Sequence, residues 1–236
     1  MATSGFKNIV TSGLVLSLDA GNTKSYPGSG TSWFDLTSNN GLGTLSYGAV
    51  YNSAYGGNIV LDGIDDASVQ SNVSSAVTAN NFTIEVWCRP TATITVYSQS
   101  TTGGVISGHR CIIYPDNNSS NSGAGISVGT NGINVLEHWS GNIPTPLTLS
   151  TSIPSTTYTN ITLIYQSKVP NLYINGVFIK SGLTTGTTLT YSSPYFIGGY
   201  AYGNFAGSVA LVRHYNRALS ASEVLQNYNA TKGRFV

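Results

Sequence analysis

The segment Leu172-Tyr173-Ile174-Asn175-Gly176-Val177-Phe178-Ile179 carries the strongest local signal for a fold class in this sequence. Asparagine followed by glycine adopts the two positive φ angles of a type I′ turn at low cost, and that turn matches the twist of paired strands. β-Branched and aromatic residues flank the dipeptide on both sides, which favours extended backbone. The segment therefore predicts a tight antiparallel hairpin that turns at Asn175 and Gly176.

Short apolar or alternating runs of the same kind recur along the whole chain between turn residues. In residues 82–89 the apolar side chains alternate with Thr83, Glu85, Trp87 and Arg89, so this strand has one buried face and one polar face around a tryptophan. The other runs span residues 13–18, 58–61, 110–114, 158–166, 195–198 and 208–215. Strands of this length and spacing predict an all-β sandwich or barrel.

One short helix is predicted near the end of the chain. Ser220 and Glu223 have the spacing of a capping box, and Val224, Leu225 and Tyr228 form an apolar stripe behind it. We expect this helix to pack at the rim of the sheets. Because no internal repeat or linker composition interrupts the sequence, residues 1–236 are predicted to form a single domain.

The composition excludes several classes of function. Charged residues make up only 8% of the chain, and the formal net charge is +1, so the basic surface that nucleic-acid binding needs is missing. The first residues do not have the pattern of a secretory signal, and no apolar run is long enough for membrane insertion. Cys88 and Cys111 are expected to be buried free thiols, with a disulfide between them as the alternative.

Four segments resemble the laminin-G-like branch of the concanavalin A-like lectins and glucanases. They are residues 13–20, the Leu61-Asp62-Gly63-Ile64-Asp65-Asp66 loop, the hairpin at 173–177, and residues 205–224 with Tyr215-Asn216-Arg217-Ala218-Leu219-Ser220. The segments follow the order of the family and span nearly the whole chain. The resemblance implies an all-β, concanavalin A-like jelly-roll sandwich of two curved antiparallel sheets.

Two further segments are similar to versions of this domain in the virion structural proteins of tailed bacteriophages. These are the Tyr26-Pro27-Gly28-Ser29-Gly30 loop leading to Trp33 and Asp35, and the closing residues 226–235. The resemblance implies a capsid decoration or a tail or fibre component, located in the virion, with other virion proteins as partners and many copies or a homo-oligomer on the particle. The alternative is a carbohydrate-binding module or adhesin that recognises host, cell-surface or environmental glycans.

The sequence lacks the acidic pattern of an enzyme on this fold. Glucanases of the family carry carboxylates two and four positions apart on one strand, whereas none of Glu85, Glu137 and Glu223 has an acidic residue two positions away. The three histidines show no paired spacing, and His214, in an apolar run, is expected to be a hydrogen-bonded interior imidazole. We therefore predict no catalytic residues and no enzymatic activity.

Asp62, Asp65 and Asp66 are the candidate metal ligands. They place hard oxygen donors on one tight turn, which suits calcium, and relatives of the fold often hold calcium near such a loop. The alternative is that the carboxylates accept hydrogen bonds from backbone N–H groups of the turn. No cofactor is required by the prediction, and Ca²⁺ is the candidate ion.

Two segments are candidates for glycan binding, because aromatic rings there stand among polar groups. Residues 136–142 surround Trp139, which the pattern suggests is exposed, and in residues 195–204 alternating glycines leave tyrosines accessible. The predicted carbohydrate-binding residues are Trp139, Tyr200, Tyr202 and Asn204. Trp87 is expected to pack instead.

The chain ends are the predicted attachment elements. Residues 6–10 and 233–236 carry apolar side chains outside the predicted first strand and last helix. Because a chain end frays unless something ties it down, we expect one end to be ordered against a neighbouring chain. Residues 195–205 are the next candidate interface.

Overall fold

The computed structural model describes residues 8–104, 107–116 and 120–235, which form two β-sheets and one α-helix. Sheet A contains β1 (Leu14–Asp19), β4 (Val50–Asn52), β5 (Asn58–Asp62), β7 (Phe82–Pro90), β12 (Thr159–Gln166), β13 (Val169–Ile174), β14 (Val177–Ser181) and β17 (Ala206–Tyr215). Sheet B contains β2 (Ser32–Phe34), β3 (Leu42–Ser46), β6 (Ala67–Ser71), β8 (Cys111–Ile113), β9 (Ser122–Gly129), β10 (Gly132–His138), β11 (Leu147–Ser150), β15 (Thr190–Ser192) and β16 (Phe196–Ile197). The helix α1 spans Ala221–Thr231, and short 3₁₀ turns span Ala54–Gly56, Ser74–Ala76 and Lys232–Arg234.

The strand order is that of a jelly-roll sandwich. Sheet A runs β14-β13-β12-β7-β17-β5-β4, with β1 also paired to β17, and sheet B runs β11-β10-β9-β8-β16-β6-β3-β2. All pairs are antiparallel except β15, which runs parallel to β9 over three residues. The predicted fold class is confirmed. None of the described helices is long and apolar enough to cross a membrane.

The main core lies between the two sheets. Phe82, Ile84, Val86 and Cys88 of β7 face it, as their alternation predicts, and Trp33 is fully buried in the same cluster. Cys88 and Cys111 are both buried and both free, which confirms the prediction for the thiols.

The hairpin and the helix form where local chemistry places them. Asn175 and Gly176 have φ angles of 51° and 78°, as a type I′ turn requires. Ser220 caps α1, and its capping box with Glu223 is complete. Leu225, however, is 43% exposed. Asn227 is buried on the helix instead, because the Asn227 amide donates hydrogen bonds to Glu85 and Tyr215 on sheet A.

The outer face of sheet A is covered by the end of the chain. Trp87 stacks on Phe235 with ring centroids 4.4 Å apart, and its Nε1 donates to Thr231 Oγ1 at 3.1 Å, so its packing role is confirmed. Val10 is buried beside α1, where its N–H donates to Asn227 Oδ1 at 2.8 Å. The described parts of both ends therefore pack on their own sandwich, and the attachment of a chain end to a neighbouring chain stays a prediction. Phe6 and Val236 lie outside the described residues.

His214 corrects one expectation about the interior. The imidazole is buried, as predicted, but neither ring nitrogen has a hydrogen-bond partner among the described residues. The residues opposite it on the neighbouring strands are Leu16 and Ile84, whose side chains offer no polar group. Burial lowers the pKa of His214 to about 3, so the ring is neutral.

Candidate functional site

A pocket of about 330 Å³ opens on the face of sheet B that is turned away from the main core. Strands β6 and β16 form its floor, and three connecting segments form its walls. Its lining residues are Tyr47, Asp65, Ala67, Val69, Phe196, Gly199, Tyr200, Ala201 and Asn204. The volume is at the lower end of the range for small-molecule sites.

Aromatic rings make up much of the pocket surface. Phe196 and Tyr200 stack with centroids 4.8 Å apart and an interplanar angle of 14°, and Tyr114 meets both rings edge-on. This packing holds Tyr200 in place although its side chain is 60% exposed. Gly199 has φ 123°, and a Cβ there would lie 2.5 Å from Asn204 Cα. The segment can therefore fold back on itself only with glycine at this position.

Tyr47 contributes a second exposed ring from the turn between β3 and β4. Its side chain is 74% exposed and its backbone has φ 64°. A positive φ is unfavourable for an aromatic residue, so the turn holds an exposed tyrosine in a conformation that glycine or asparagine would adopt more easily. An exposed ring held in this way beside a pocket is available to a ligand.

Besides the tyrosine hydroxyls, the polar side chains of the pocket are Asp65 and Asn204. Within the described residues, the Asp65 carboxylate makes no hydrogen bond, although it is exposed at the pocket wall. Asn204 donates from Nδ2 to the carbonyl oxygen of Ile64, which ties the 199–204 segment to the Asp62–Asp66 loop. The pocket thus combines open ring faces with a carboxylate that is free to accept hydrogen bonds.

The three aspartates of that loop lie together. One carboxylate oxygen from each of Asp62, Asp65 and Asp66 lies within 4.8 Å of the others. The turn interpretation holds in part, because Asp66 Oδ2 accepts from the N–H of Asp62 at 2.8 Å and Asp62 Oδ1 from the N–H of Ile64 at 2.7 Å. Asp66 is only 4% exposed, however, and its Oδ1 has no partner among the described residues. Burial, more than the two neighbouring aspartates, raises the pKa of Asp66. An orphaned buried carboxylate oxygen beside two others fits a hard divalent cation.

The structure brings together only part of the predicted glycan site. Tyr200 and Asn204 line the pocket. Tyr202 lies beneath it, half-buried, stacked on Tyr114 and bonded through its hydroxyl to His138 Nε2 at 2.9 Å. Trp139 does not line the pocket; it is half-buried in a turn whose backbone bonds to Asn142 in both directions.

Two pocket residues are not identified by the sequence pattern. Phe196 lies inside the candidate segment 195–204, but its apolar neighbours make it resemble a core residue. Tyr47 is brought to the pocket by the pairing of β3 with β6, across more than 20 positions of sequence. The only local signal for it was an aromatic residue directly before glycine in a turn.

The three glutamates all have structural roles. Glu85 pairs with Arg213 at 3.3 Å on sheet A, and Glu223 caps α1 and pairs with Arg217 at 2.6 Å. Glu137 is fully buried and accepts hydrogen bonds from Thr185, Ser122 and Tyr165 at 2.6, 2.8 and 3.0 Å. Burial raises the pKa of Glu137. None of the three carboxylates lines the pocket.

Comparison with known proteins addresses the family and the fold. A laminin G family profile, described as the concanavalin A-like lectin/glucanases superfamily, matches residues 61–225, more than two thirds of the chain. No curated protein sequence is significantly similar to the chain.

Several solved structures share the architecture. Domain 4 of AbnA, an extracellular arabinanase from Geobacillus stearothermophilus solved in complex with arabinotriose, aligns over 91% of this chain and 98% of its own, with a TM-score of 0.58 and 19% identity. The binding domain of Paraclostridial Mosquitocidal Protein 1 aligns over 92% of this chain and 52% of its own, with a TM-score of 0.64 and 21% identity. For the binding domain of botulinum neurotoxin serotype G the coverages are 91% and 50%, the TM-score 0.63 and the identity 17%.

The chain spans about half the length of these two toxin domains, and at such identities the likeness concerns the fold alone. The profile match is more specific, because it covers the Asp62–Asp66 loop, the hairpin and the start of α1 in one stretch. The chain therefore belongs to the concanavalin A-like lectin/glucanase superfamily, in its laminin G-like branch.

Proposed function

We propose that this chain is a non-catalytic glycan-binding module whose sugar site is the pocket between Tyr47 and Tyr200. The observation that carries the proposal is the combination of open aromatic faces with the Asp65 carboxylate in one pocket. The apolar face of a sugar ring packs on such aromatic surfaces, while vicinal hydroxyls donate to a carboxylate and exchange hydrogen bonds with an amide. Asn204 supplies the amide.

Related structures support this interpretation. The similar arabinanase domain was solved with arabinotriose, and the entry of botulinum neurotoxin type C into cells is described as dependent on two ganglioside molecules. A non-catalytic role agrees with the acidic residues, since glycoside hydrolysis needs a pair of carboxyl groups flanking the scissile bond. Among the described residues, Asp65 is the only acidic residue in the pocket lining.

A glycan array followed by calorimetry on the best ligand tests the proposal. Tyr200→Ala is expected to weaken binding by about two- to tenfold, the range expected for loss of one aromatic stacking contact. Asp65→Asn is expected to weaken it further. Trp139→Ala is the matched control, because it removes a half-buried aromatic residue outside the pocket, and it should bind like the unmodified chain. Absence of binding by the unmodified chain, even when displayed in many copies, would remove this function.

The second part of the proposal concerns where the module is displayed. The phage-like segments suggest a virion structural protein, as a capsid decoration or a tail or fibre component. The observation that favours a protein partner is the edge strand β14, on which Val177, Phe178 and Ile179 are all exposed. An apolar edge strand is a surface for pairing with another chain.

Mass spectrometry of purified particles should find the protein at stoichiometric level, and attachment should persist in about 1 M salt, because salt screens apolar contacts little. Absence from the particles would eliminate the virion role.

We propose that Asp62, Asp65 and Asp66 are the ligands of a calcium ion. The orphaned Oδ1 of buried Asp66 supports it, and oxygen donors of this kind suit Ca²⁺ better than softer metals. The ion would neutralise the loop that forms one wall of the sugar pocket.

A further inference from the structure

A second pocket, of about 450 Å³, lies next to the first and shares Asn204 with it. Its lining is polar where the first is aromatic. It comprises Gly63, Ile64, Thr93, Ile94, Thr95, Gly108, His109, Arg110, Gly203 and Asn204. The two pockets therefore form adjacent subsites on either side of the bond between Asn204 and Ile64.

Arg110 distinguishes the second pocket. Neither pocket is lined by a lysine or another arginine in the part of the chain that the structure describes. Two backbone carbonyl oxygens fix the guanidinium of Arg110. Its Nε donates to the carbonyl oxygen of Thr93 at 3.1 Å, and its Nη1 donates to that of Asn204 at 3.4 Å. Gly63 leaves room for it, since a Cβ there would lie 2.7 Å from Arg110 Nη1. The side chain is therefore held at the pocket wall while several of its N–H groups remain available.

Arg110 forms no ion pair with any acidic residue that the structure describes, whereas three of the five arginines do. Among the described residues, three arginines pair with carboxylates: Arg213 with Glu85, Arg217 with Glu223 and Arg234 with Asp19. A fourth, Arg89, lies over the rings of Tyr55 and Tyr158. Charged residues are only 8% of this sequence, so an oriented guanidinium at a pocket wall that forms no ion pair within the described residues points to a ligand that supplies a carboxylate.

We propose that the second pocket binds the carboxylate of an acidic sugar residue, so that the module recognises acidic polysaccharides. This inference rests on the proposed glycan-binding function. A guanidinium presents a planar fork of donors that matches a carboxylate, and Thr93 and Thr95 add hydroxyl groups beside it. A neighbouring sugar ring of the same chain then occupies the aromatic pocket.

The charges of the Asp62–Asp66 loop determine which subsite takes the anion. Asp65 lines the first pocket but not the second, so with no cation on the loop, as in EDTA, the first pocket repels a carboxylate and favours hydroxyl groups. Asp62 Oδ1 faces the N–H of Ile64, and Asp66 is buried against the N–H of Asp62. The anion therefore belongs beside Arg110.

Calorimetry with matched polysaccharide pairs tests the inference. Polygalacturonate, alginate and hyaluronan are each compared with their carboxyl-reduced, neutral forms, at low salt and with EDTA present so that no metal bridges the anion. The unmodified chain should bind at least one acidic form about tenfold or more tightly than its reduced form, as expected for charge-assisted hydrogen bonds. Arg110→Gln should abolish that difference, so that the acidic and reduced forms bind alike, and Arg110→Lys should retain part of it.

Lys24→Gln provides the matched control, because it removes one positive charge from an exposed residue that lines neither pocket. It should keep the full preference. Equal binding of acidic and reduced forms would overturn the acidic-sugar inference and leave the glycan-binding function intact. Binding of dextran sulfate without any of the carboxylates would also overturn it, and binding of none of the polymers would overturn both.

Discussion

The imidazole of His214 shows what a single buried polar group does to this fold. It lies on β17 opposite Leu16 and Ile84, without a hydrogen bond to either nitrogen among the described residues. Burial lowers its pKa from 6.5 to about 3. Between these two values the unfolded chain binds a proton at His214 that the folded chain does not bind.

The free energy of unfolding should therefore decrease in acid because of this one residue. Above about pH 6.5 the ring is neutral in both the folded and the unfolded chain, and His214 takes no free energy of unfolding away. As pH falls from 6.5 towards 3, the free energy of unfolding decreases by about 1.4 kcal/mol per pH unit, because only the unfolded chain binds the proton. Urea denaturation at pH 7.5 and at pH 5 should show that His214→Leu gains about 2 kcal/mol relative to the unmodified chain between the two conditions. Comparing the two chains at each pH cancels the titration of the carboxylates. A difference that does not change with pH would contradict the expectation.

The two thiols should be inert in the folded chain. Burial raises the pKa of Cys88 strongly and that of Cys111 to about 12, and only a thiolate reacts. A thiol reagent at pH 8 should therefore label neither residue in the native protein and both in denaturant without reductant. Finding no thiol in denaturant would mean that a disulfide had formed.

At the scale of elements, one side chain attaches the helix to sheet A. Asn227 Nδ2 donates to Glu85 Oε2 at 3.0 Å and to the Tyr215 hydroxyl at 2.9 Å, while its Oδ1 accepts from the N–H of Val10. Glu85 is buried and also pairs with Arg213. The amide therefore supports a buried carboxylate that would otherwise lose one of its donors.

Asn227→Ala should lower the free energy of unfolding by about 2–4 kcal/mol, because it leaves several buried polar groups with fewer partners. Leu225→Ala, two positions away on the exposed part of the same helix, is the control and should change stability by less than about 1 kcal/mol. Both values come from urea denaturation. Equal effects of the two variants would mean that the buried network contributes little.

The elements that the sequence predicts correctly are those fixed by local chemistry. The Asn175-Gly176 turn and the Ser220 cap depend on neighbouring residues alone. The sequence does not predict strand β9, since the serine, glycine and alanine residues of its first half are typical of a loop. Pairing with β8 and β10 in the middle of sheet B makes it a strand. The site divides in the same way. Tyr200 and Asn204 share one glycine-rich segment, whereas Tyr47 reaches the pocket only through strand pairing.

At the scale of the whole molecule, the two outer faces of the sandwich differ. The outer face of sheet A is covered by α1 and by both described chain ends, where Val10 and Phe235 are buried. The outer face of sheet B carries the aromatic pocket. A partner attached through sheet A or its β14 edge would therefore leave the pocket exposed, which suits a module that is anchored on one side and binds glycan on the other.

Calcium should stabilise the whole domain, because the Asp62–Asp66 loop connects β5 of sheet A to β6 of sheet B. A ligand that binds only the folded chain, at a concentration of a hundred times its dissociation constant, raises the free energy of unfolding by about 2.7 kcal/mol. For a domain of this size that raises the melting temperature by about 5–10 °C. Thermal unfolding in millimolar calcium and in EDTA measures this shift. Magnesium should give a smaller one, since it demands tighter octahedral geometry.

Asp65→Asn separates the ion from the turn. Asp65 makes no hydrogen bond within the described residues, whereas Asp62 and Asp66 accept bonds from the backbone, so the change removes a ligand charge without removing a turn contact. In EDTA this variant should melt at or slightly above the temperature of the unmodified chain, because it relieves repulsion among three carboxylates. In calcium it should lose most of the shift. If the unmodified chain melts at the same temperature in both buffers, the loop holds no calcium, and the unpartnered oxygen of Asp66 is then a cost that the fold bears without an ion.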